Sequence, residues 1–140
     1  MAEEPVTFVK NAIHRPDEPR HFMRIKPVNG LVVAQVNNQV IVRSEKTLKL
    51  QEAGFDLYDP VYYFPKSAFS EGTLVSANHS THCPLKGDTD YYHLTINGQT
   101  YNYAAFCYNY PNMEETQVLQ DYIAFDQRQV QVFEYLPAGS

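Results

Sequence analysis

One stretch of the sequence brings together several residue types that can do chemistry. Residues 79–88 contain His79, His82, Cys83 and Lys86. An imidazole can act as the general base of a thiol, and a nearby cation favours the nucleophilic thiolate. The stretch therefore predicts His79, His82 and Cys83 as catalytic candidates and Lys86 as a ligand-binding residue. His79 is the better candidate base, because the side chains of sequence neighbours such as His82 and Cys83 rarely face each other.

Aromatic residues flank this stretch. Tyr62 and Tyr63 precede it, Tyr92 follows it, and Tyr108 lies further along the chain. Ligand pockets are lined mainly by apolar and aromatic side chains with a few polar groups. We therefore expect these four tyrosines to form the floor of a ligand site beneath a loop made by the chemistry-bearing stretch. The plainer alternative is a buried turn whose histidines hydrogen-bond the backbone.

Zinc is another hypothesis for the same residues, because imidazole and thiolate are its preferred ligands. The spacing is poor, since the adjacent side chains of His82 and Cys83 point to opposite sides of an extended chain. His79 could join only one of them, and a fourth ligand would have to come from His93 or Cys107. Strand alternation places those two on opposite faces of a hairpin. The sequence therefore predicts no metal site.

The composition excludes several classes of protein. The chain has 140 residues, 44% of them hydrophobic, and a net charge of -5 without a basic cluster. The length and apolar content predict one folded domain, and the charge argues against nucleic acid and anionic membranes as partners. No apolar run approaches the roughly 20 residues that cross a bilayer. We expect an N-terminal arm over 1–21, a single domain over 22–136 and a tail over 137–140.

The first residues lack the basic and apolar regions of a signal peptide, which predicts a cytoplasmic protein. In a reducing compartment, Cys83 and Cys107 are expected to be two free thiols and not a disulfide. Cys107 is expected to pack in the core as an inert small hydrophobe.

Asn97-Gly98 is the strongest local signal, because Asn-Gly favours the type I′ turn of a two-residue β-hairpin. Such a turn pairs Ile96 with Gln99, Leu94 with Tyr101, and Tyr92 with Tyr103. Alternation then places Tyr103 on the inner face of the hairpin and His93 on the outer face.

Other segments predict further strands and short helices. Ser44 is a candidate N-cap for a helix over 45–53 that ends at Gly54. A second short helix is expected within 113–121, with Val118 and Leu119 facing inward. Residues 1–20 and 108–112 are expected to be irregular. Strands are expected at 31–36, 39–42, 61–64, 73–77, 122–125 and 130–135.

The order of these elements is dominated by strands. It predicts a mainly β (α+β) fold, a small antiparallel sandwich or barrel-like sheet with one or two short helices. The hairpin formed by 31–36 and 39–42 turns at Asn37-Asn38 and is apolar on both faces. We therefore expect both of its strands inside the body and not at an edge.

Several motifs together resemble the domain of unknown function family 427 over residues 22–135. They are Val-Tyr-Tyr-Phe-Pro at 61–65, His-Ser-Thr-His-Cys-Pro-Leu-Lys-Gly at 79–87, Tyr-Ile-Ala-Phe at 122–125, Tyr91-Tyr92, Tyr108 with Tyr110-Pro111, Ser44, and Glu52-Ala53-Gly54. The resemblance implies a compact β-rich single domain. Where relatives carry Trp, this chain reads Ala104-Ala105-Phe106, so a pocket lined by that residue would have a different shape.

The same family is also called a nucleotidyltransferase domain family. A polymerase-type nucleotidyltransferase needs a Gly-Ser turn followed by spaced metal-binding aspartates. Asp88 and Asp90 are the only close aspartate pair, and no Gly-Ser precedes them. The motif for that chemistry is therefore missing from the sequence.

Three functions stay open at this point. The first is a small-ligand-binding protein, with or without catalysis, whose ligand is anionic or carbonyl-bearing and meets the 79–87 segment. The second is a non-catalytic module that uses a Tyr-rich surface to bind a protein. The third is nucleotidyl transfer, as the resemblance implies. No cofactor is identified, and monomer and dimer are both compatible with the sequence.

The metal hypothesis gives a direct test. We expect the purified protein to carry clearly less than one equivalent of zinc in elemental analysis. One full equivalent that disappears in the His82→Ala variant would contradict this expectation and make His79, His82 and Cys83 zinc ligands.

Overall fold

Strands dominate the computed structural model, which describes residues 12–15, 18–54, 56–83, 87–110 and 114–135. In chain order they are β1 (Ile13–Arg15), β2 (Glu18–Pro27), β3 (Val32–Val36), β4 (Gln39–Ser44), β5 (Leu48–Ala53), β6 (Val61–Pro65), β7 (Leu74–Cys83), β8 (Gly87–Ile96), β9 (Gln99–Tyr110), β10 (Tyr122–Phe125) and β11 (Gln131–Glu134). Two short 3-10 helices cover Lys66–Ala68 and Glu114–Leu119. In these parts of the chain no helix is long and apolar enough to cross a membrane.

The strands form two antiparallel sheets. The large sheet has eight strands in the order β1-β2-β5-β6-β10-β9-β8-β7, and the small sheet has three in the order β11-β3-β4. The predicted mainly β, antiparallel, sandwich-like fold with short helices is confirmed.

The helix predicted over 45–53 is wrong, because residues 48–53 form β5. Leu48 and Leu50 are buried while Gln51 is exposed, which is the period-2 pattern of a strand. β5 pairs with β2 on one side and β6 on the other, and this ladder outweighs the local helix signals. The hydroxyl of Ser44 does accept a backbone hydrogen bond, from Lys46 at 2.9 Å, but it closes a turn instead of capping a helix.

The hairpin of β3 and β4 turns at Asn37 and Asn38, whose φ angles of 49° and 62° fit the predicted two-residue turn. β3 lies between two strands, as predicted. β4 lies at the edge of the small sheet, so the interior position expected for it is wrong. Its exposed Val40 shows that an apolar pattern on both faces does not by itself place a strand inside.

Three segments predicted as irregular are strands. β1 and the first residues of β2 lie within the predicted irregular segment 1–20. β7 and β8 continue to Cys83 and Gly87, so the predicted 79–88 loop is the end of a hairpin. β9 extends to Tyr110, although the sequence indicated a loop from 108 onward. The predicted domain limits at 21 and 136 stay a prediction.

The second predicted helix corresponds to the 3-10 helix Glu114–Leu119. Leu119 is fully buried, as expected, but Val118 is 48% exposed, so its predicted inward position is wrong. A 3-10 helix has about three residues per turn, so two neighbouring side chains cannot both face the body.

The large sheet has two faces with separate apolar clusters. We call the face that packs on the small sheet the covered face. It carries Phe64, Leu94 and Phe125, and the rings of Phe64 and Phe125 lie 5.5 Å apart. We call the opposite face the aromatic face. Met23 and Leu50 are buried there together with Tyr63, Tyr108 and Leu119.

A polar contact fastens the small sheet to the large one. The hydroxyl of Tyr62 and the ammonium of Lys49 both donate to Oε2 of Glu134, at 2.6 and 3.2 Å. The hydrogen bond from Tyr62, followed by that from Lys49, lowers the pKa of Glu134 below 4.5 although partial burial opposes this. Burial and the carboxylate both raise the pKa of Tyr62. β11 is thereby tied to β5 and β6 by a charge-assisted contact.

This contact predicts a pH-dependent stability. Because the folded pKa of Glu134 lies below 4.5, its stabilisation is fully present above that pH and is lost as the pH falls through the folded pKa. We expect Glu134→Gln to lower the free energy of unfolding by about 1 kcal/mol at neutral pH, after allowance for partial exposure. The difference from the parent should shrink in acid, as measured by urea denaturation across the pH range.

Glu71→Gln is the matched control, because Glu71 lies in an exposed turn. It should change stability by less than about 0.5 kcal/mol at every pH. A Glu134→Gln deficit that persists unchanged in acid would contradict an electrostatic role for Glu134.

Candidate functional site

The hairpin of β7 and β8 sorts its polar side chains onto two faces. On the covered face, Nδ1 of His82 lies 2.8 Å from a carboxylate oxygen of Asp88, and the hydroxyl of Ser80 donates to Asp90 at 2.6 Å. On the aromatic face, the hydroxyl of Tyr91 lies 3.0 Å from that of Thr81. Period-2 alternation therefore directs His82 away from the face that carries Tyr91.

His79 lies on the aromatic face, in contact with the rings of Tyr91 (5.3 Å) and Tyr103 (5.8 Å). The structure therefore does not bring His79 and His82 together. The backbone of Cys83 pairs with Gly87, but the side chain of Cys83 lies outside the described residues, as does Lys86. Of the four residues first singled out, His79 is the one that the described structure places beside an aromatic surface.

Two β-bulges flank β8 and decide which side chains reach the aromatic face. In β7, residues 77–79 stand opposite Tyr91, and Asn78 has a φ of 52°. In β9, residues 102–104 stand opposite His93, and Tyr103 also has a φ of 52°. Each bulge sets three residues opposite one, so the pairing shifts by two residues and the side chains beyond the bulge keep their faces. Together they bring His79 and Tyr103 against the same strand from its two sides.

The bulge in β9 overturns the register expected for the Asn97-Gly98 hairpin. The pairs nearest the turn are as predicted, but Tyr92 pairs with Ala105 and not with Tyr103. Tyr103 is 49% exposed, so its predicted place on the inner face is wrong. Alternation alone cannot anticipate a bulge, in which residues leave the regular ladder and the pairing beyond them shifts by two residues.

The backbone groups freed by this bulge have side-chain partners. The N–H of Tyr103 donates to Nδ1 of His93 at 3.0 Å. The carbonyl of Asn102 accepts from the amide of Gln129 at 3.1 Å. The bulge is therefore a stable part of the fold, because these two backbone groups form hydrogen bonds with side chains.

Beyond the bulges, aromatic rings form a continuous row across the aromatic face. The ring of His93 contacts that of Tyr103. The ring of His79 contacts both Tyr103 and Tyr91. The ring centroid of Phe106 then lies 6.3 Å from that of Tyr91 and 5.8 Å from that of Tyr108. Such edge-to-face and tilted contacts hold the rings in fixed orientations.

A cleft of about 770 Å³ lies over this row. Its floor contains apolar and aromatic side chains together with the buried Thr89. The floor residues are Val61, Thr89, Tyr91, Tyr103, Phe106 and Tyr108. Asp59 and the 126–129 turn form its rim. A volume of this size is in the range of small-molecule sites. We call it the aromatic cleft.

The rim turn is rigid because Asp126 organises it. Its carboxylate accepts two hydrogen bonds from the guanidinium of Arg128, at 3.0 and 3.2 Å, and one from Gln129 at 3.2 Å. The bond from Arg128 holds the pKa of Asp126 below 3.8, so the carboxylate stays ionised. Arg128 is itself 91% exposed, which places a cation at the mouth of the cleft.

The four tyrosines predicted as a ligand floor divide between the two faces. Tyr108 lines the aromatic cleft, and Tyr63 lies buried beneath it against Phe106. Tyr62 and Tyr92 pack on the covered face. Tyr62 binds Glu134, and the ammonium of Lys66 lies 5.5 Å from the ring centroid of Tyr92.

Sequence reasoning missed Tyr91, Tyr103 and Phe106 as site residues. Period-2 alternation from Tyr108 could have indicated that Phe106 faces the same site as Tyr108. Tyr91 could have been assigned by alternation from Thr89. No local signal marks Tyr103, because its position depends on the bulge.

The two aspartates that could bind a metal ion or serve nucleotidyl transfer, Asp88 and Asp90, do not line the aromatic cleft. Asp88 and Asp90 bind His82 and Ser80 on the covered face. Within the described ranges, no three His, Cys, Asp or Glu side chains cluster in a way that could hold a metal ion. The aspartate pair therefore offers no metal-binding geometry at the aromatic cleft.

Comparisons with known proteins identify one family. Its model is described as a domain of unknown function (DUF427) and matches residues 24–135. The match covers the aromatic cleft and the bulges that shape it. No curated protein matches the sequence.

Cys107 gives a test of the covered face. It is fully buried, and burial raises the pKa of its thiol above 9.0, although a backbone hydrogen bond from Asp121 partly opposes this. In a Cys83→Ser variant we expect no labelling of Cys107 by iodoacetamide at neutral pH until denaturant is added, because the reactive thiolate is both scarce and inaccessible. Stoichiometric labelling of the folded protein would contradict the predicted inert thiol.

Proposed function

We propose, for a chain that belongs to the DUF427 family of domains of unknown function, that it binds a small organic ligand in the aromatic cleft. The ligand has a flat ring and carries an anionic or carbonyl group. The ring lies against Tyr91, Tyr103 and Phe106, and the polar group faces the rim near Arg128.

The observation that carries this proposal is the aromatic floor of the cleft. Side chains of Tyr91, Tyr103, Phe106 and Tyr108 surround one concavity of about 770 Å³. Stacking of a ring on such side chains is typically worth about 1–3 kcal/mol per ring. Thr89 is buried among them and offers a hydroxyl that can orient a ligand.

The polar groups at the edges support an anionic or carbonyl substituent. The guanidinium of Arg128 uses one side of its fork for Asp126 and presents the remaining donors at the mouth. At the other end, His79 contacts both Tyr91 and Tyr103 and offers an imidazole. If the protein is catalytic, His79 is the described residue best placed for proton transfer.

The conformation of Tyr103 also supports a role in binding. A non-glycine residue with a φ of 52° costs about 1 kcal/mol, and such strain concentrates at ligand sites. Tyr103 is nevertheless about half exposed, so its ring adds little to the core. A strained and exposed aromatic residue is more easily explained by a ligand than by stability.

The concave shape favours a small ligand over a protein partner. A protein-binding module would present its tyrosines on a flat exposed patch. On the aromatic face, Tyr91 and Phe106 are partly buried and Tyr108 is almost fully buried, so they line a depression. This arrangement fits the first of the three functions that the sequence left open.

The proposal predicts a defined binding pattern for benzoate, acetate and phenol. Benzoate has both the ring and the anion, and it should shift the amide resonances of Tyr91, Tyr103 and Phe106 in a saturable way in NMR titrations. Phenol should bind more weakly, and acetate should not bind at this cleft. Tyr103→Asn should weaken benzoate binding by about tenfold, the loss expected for one stacking contact.

Tyr135→Asn is the matched control, since Tyr135 is 52% exposed and lies outside the cleft. It should leave benzoate binding unchanged. Tyr103→Asn should keep the free energy of unfolding within about 1 kcal/mol of the parent, because Asn tolerates positive φ. Benzoate shifts that map elsewhere, or that survive Tyr103→Asn undiminished, would rule out this site, as would the absence of any saturable shift.

A further inference from the structure

A second, smaller pocket lies between the β1–β2 hairpin and the turn after β5. Its volume is about 180 Å³, and its described lining residues are Arg15, Glu18, Arg20, His21, Gly54 and Tyr58. None of its described lining residues belongs to the aromatic cleft. It has room for about six water molecules, which is enough for a small anion.

His21 lines this pocket and is held by Glu52. Nε2 of His21 lies 2.5 Å from Oε2 of Glu52, and their side chains are only 21% and 15% exposed. The carboxylate fixes the orientation of the imidazole. Nδ1 of His21 makes no hydrogen bond within the part of the chain that the structure describes.

Gly54 keeps the space over the imidazole open. A Cβ at this position would lie 3.4 Å from Cδ2 of His21 and 3.6 Å from Cε2 of Tyr58. The turn that carries it is closed by two backbone hydrogen bonds, from Gly54 to Asp56 and from Tyr58 to Glu52. The absence of a side chain at Gly54 therefore leaves a gap between two rings that the turn holds in place.

Charges around the pocket favour an anion. The lining carries the guanidinium groups of Arg15 and Arg20 and one carboxylate, that of Glu18. Arg20 is held by Glu18 through two hydrogen bonds, at 2.9 and 3.1 Å, so its guanidinium is already oriented at the mouth. Guanidinium groups suit carboxylate and phosphate oxygens. Two guanidinium groups and one carboxylate among the described lining residues contrast with the net charge of -5 of the whole chain.

We propose that this pocket is a second binding site, for a small oxyanion such as a carboxylate or a phosphate. Nδ1–H of protonated His21 donates to the anion while Glu52 holds the opposite nitrogen. Arg15 lies at the mouth and adds its positive charge. The site is independent of the aromatic cleft, so either can exist without the other.

The test is an NMR titration of the full chain with sodium acetate and with sodium phosphate. The readout is the ¹⁵N shifts of the His21 imidazole at a pH of about 6, below the ordinary histidine pKa of about 6.5. We expect a saturable shift of His21 that weakens when the pH is raised to about 8 and the imidazolium is lost. Acetate binding alone indicates a carboxylate ligand, and phosphate binding alone indicates a phosphate ligand.

Gly54→Ala is the decisive variant. Its methyl group would make ordinary van der Waals contact with both rings, and φ at this position is not positive, so the fold should be retained. The methyl group occupies the space over the imidazole, and we expect anion affinity to fall by about tenfold without a lower unfolding midpoint. Arg15→Gln should weaken binding in the same direction.

Tyr103→Asn separates this proposal from the first one, because it changes the aromatic cleft and leaves the small pocket intact. Anion binding at His21 should be unaffected by it. The proposal is overturned if neither anion gives a saturable His21 shift, if sodium chloride of equal ionic strength reproduces the shift, or if Gly54→Ala binds the anion as tightly as the parent.

Discussion

The pair of bulges on either side of β8 is the constraint on which the aromatic face depends. Without them, β7, β8 and β9 would alternate regularly, and Tyr103 would oppose Tyr92. Each bulge sets three residues of a neighbouring strand opposite one residue of β8, and His79 and Tyr103 approach Tyr91 from opposite sides. Their polar backbone groups are satisfied by side chains, which makes the distortion stable enough to shape a site.

The two faces of the large sheet have different roles: the covered face packs against the small sheet, and the aromatic face carries the cleft. The covered face buries Phe64, Leu94 and Phe125 against the small sheet, and the contact of Tyr62 with Glu134 fastens the sheets together. The aromatic face is buried at one end by Leu119 and opens into a cleft at the other. Because the burial of apolar area drives folding, the covered face can supply most of the stability. The aromatic face can then tolerate strain at Tyr103.

The histidines show how position in the sheet sets the role of one residue type. His21 is held by Glu52 beside a small pocket, and His82 pairs with Asp88 on an exposed edge. His93 accepts a backbone hydrogen bond inside a bulge, and His79 packs on tyrosines. The four residues have the same chemistry in isolation. Their neighbours across the strands decide whether each can bind a ligand or only supports the backbone.

The sequence by itself determined the strand-rich class and the turns at Asn37-Asn38 and Asn97-Gly98. These features depend on local backbone preference and on the two-residue period, which are properties of a short segment. Tertiary structure decided that residues 48–53 form a strand, because pairing with β2 and β6 stabilises β5 more than local signals favour a helix. It also decided the site, because the bulge that exposes Tyr103 depends on partners such as Gln129 that are distant in sequence.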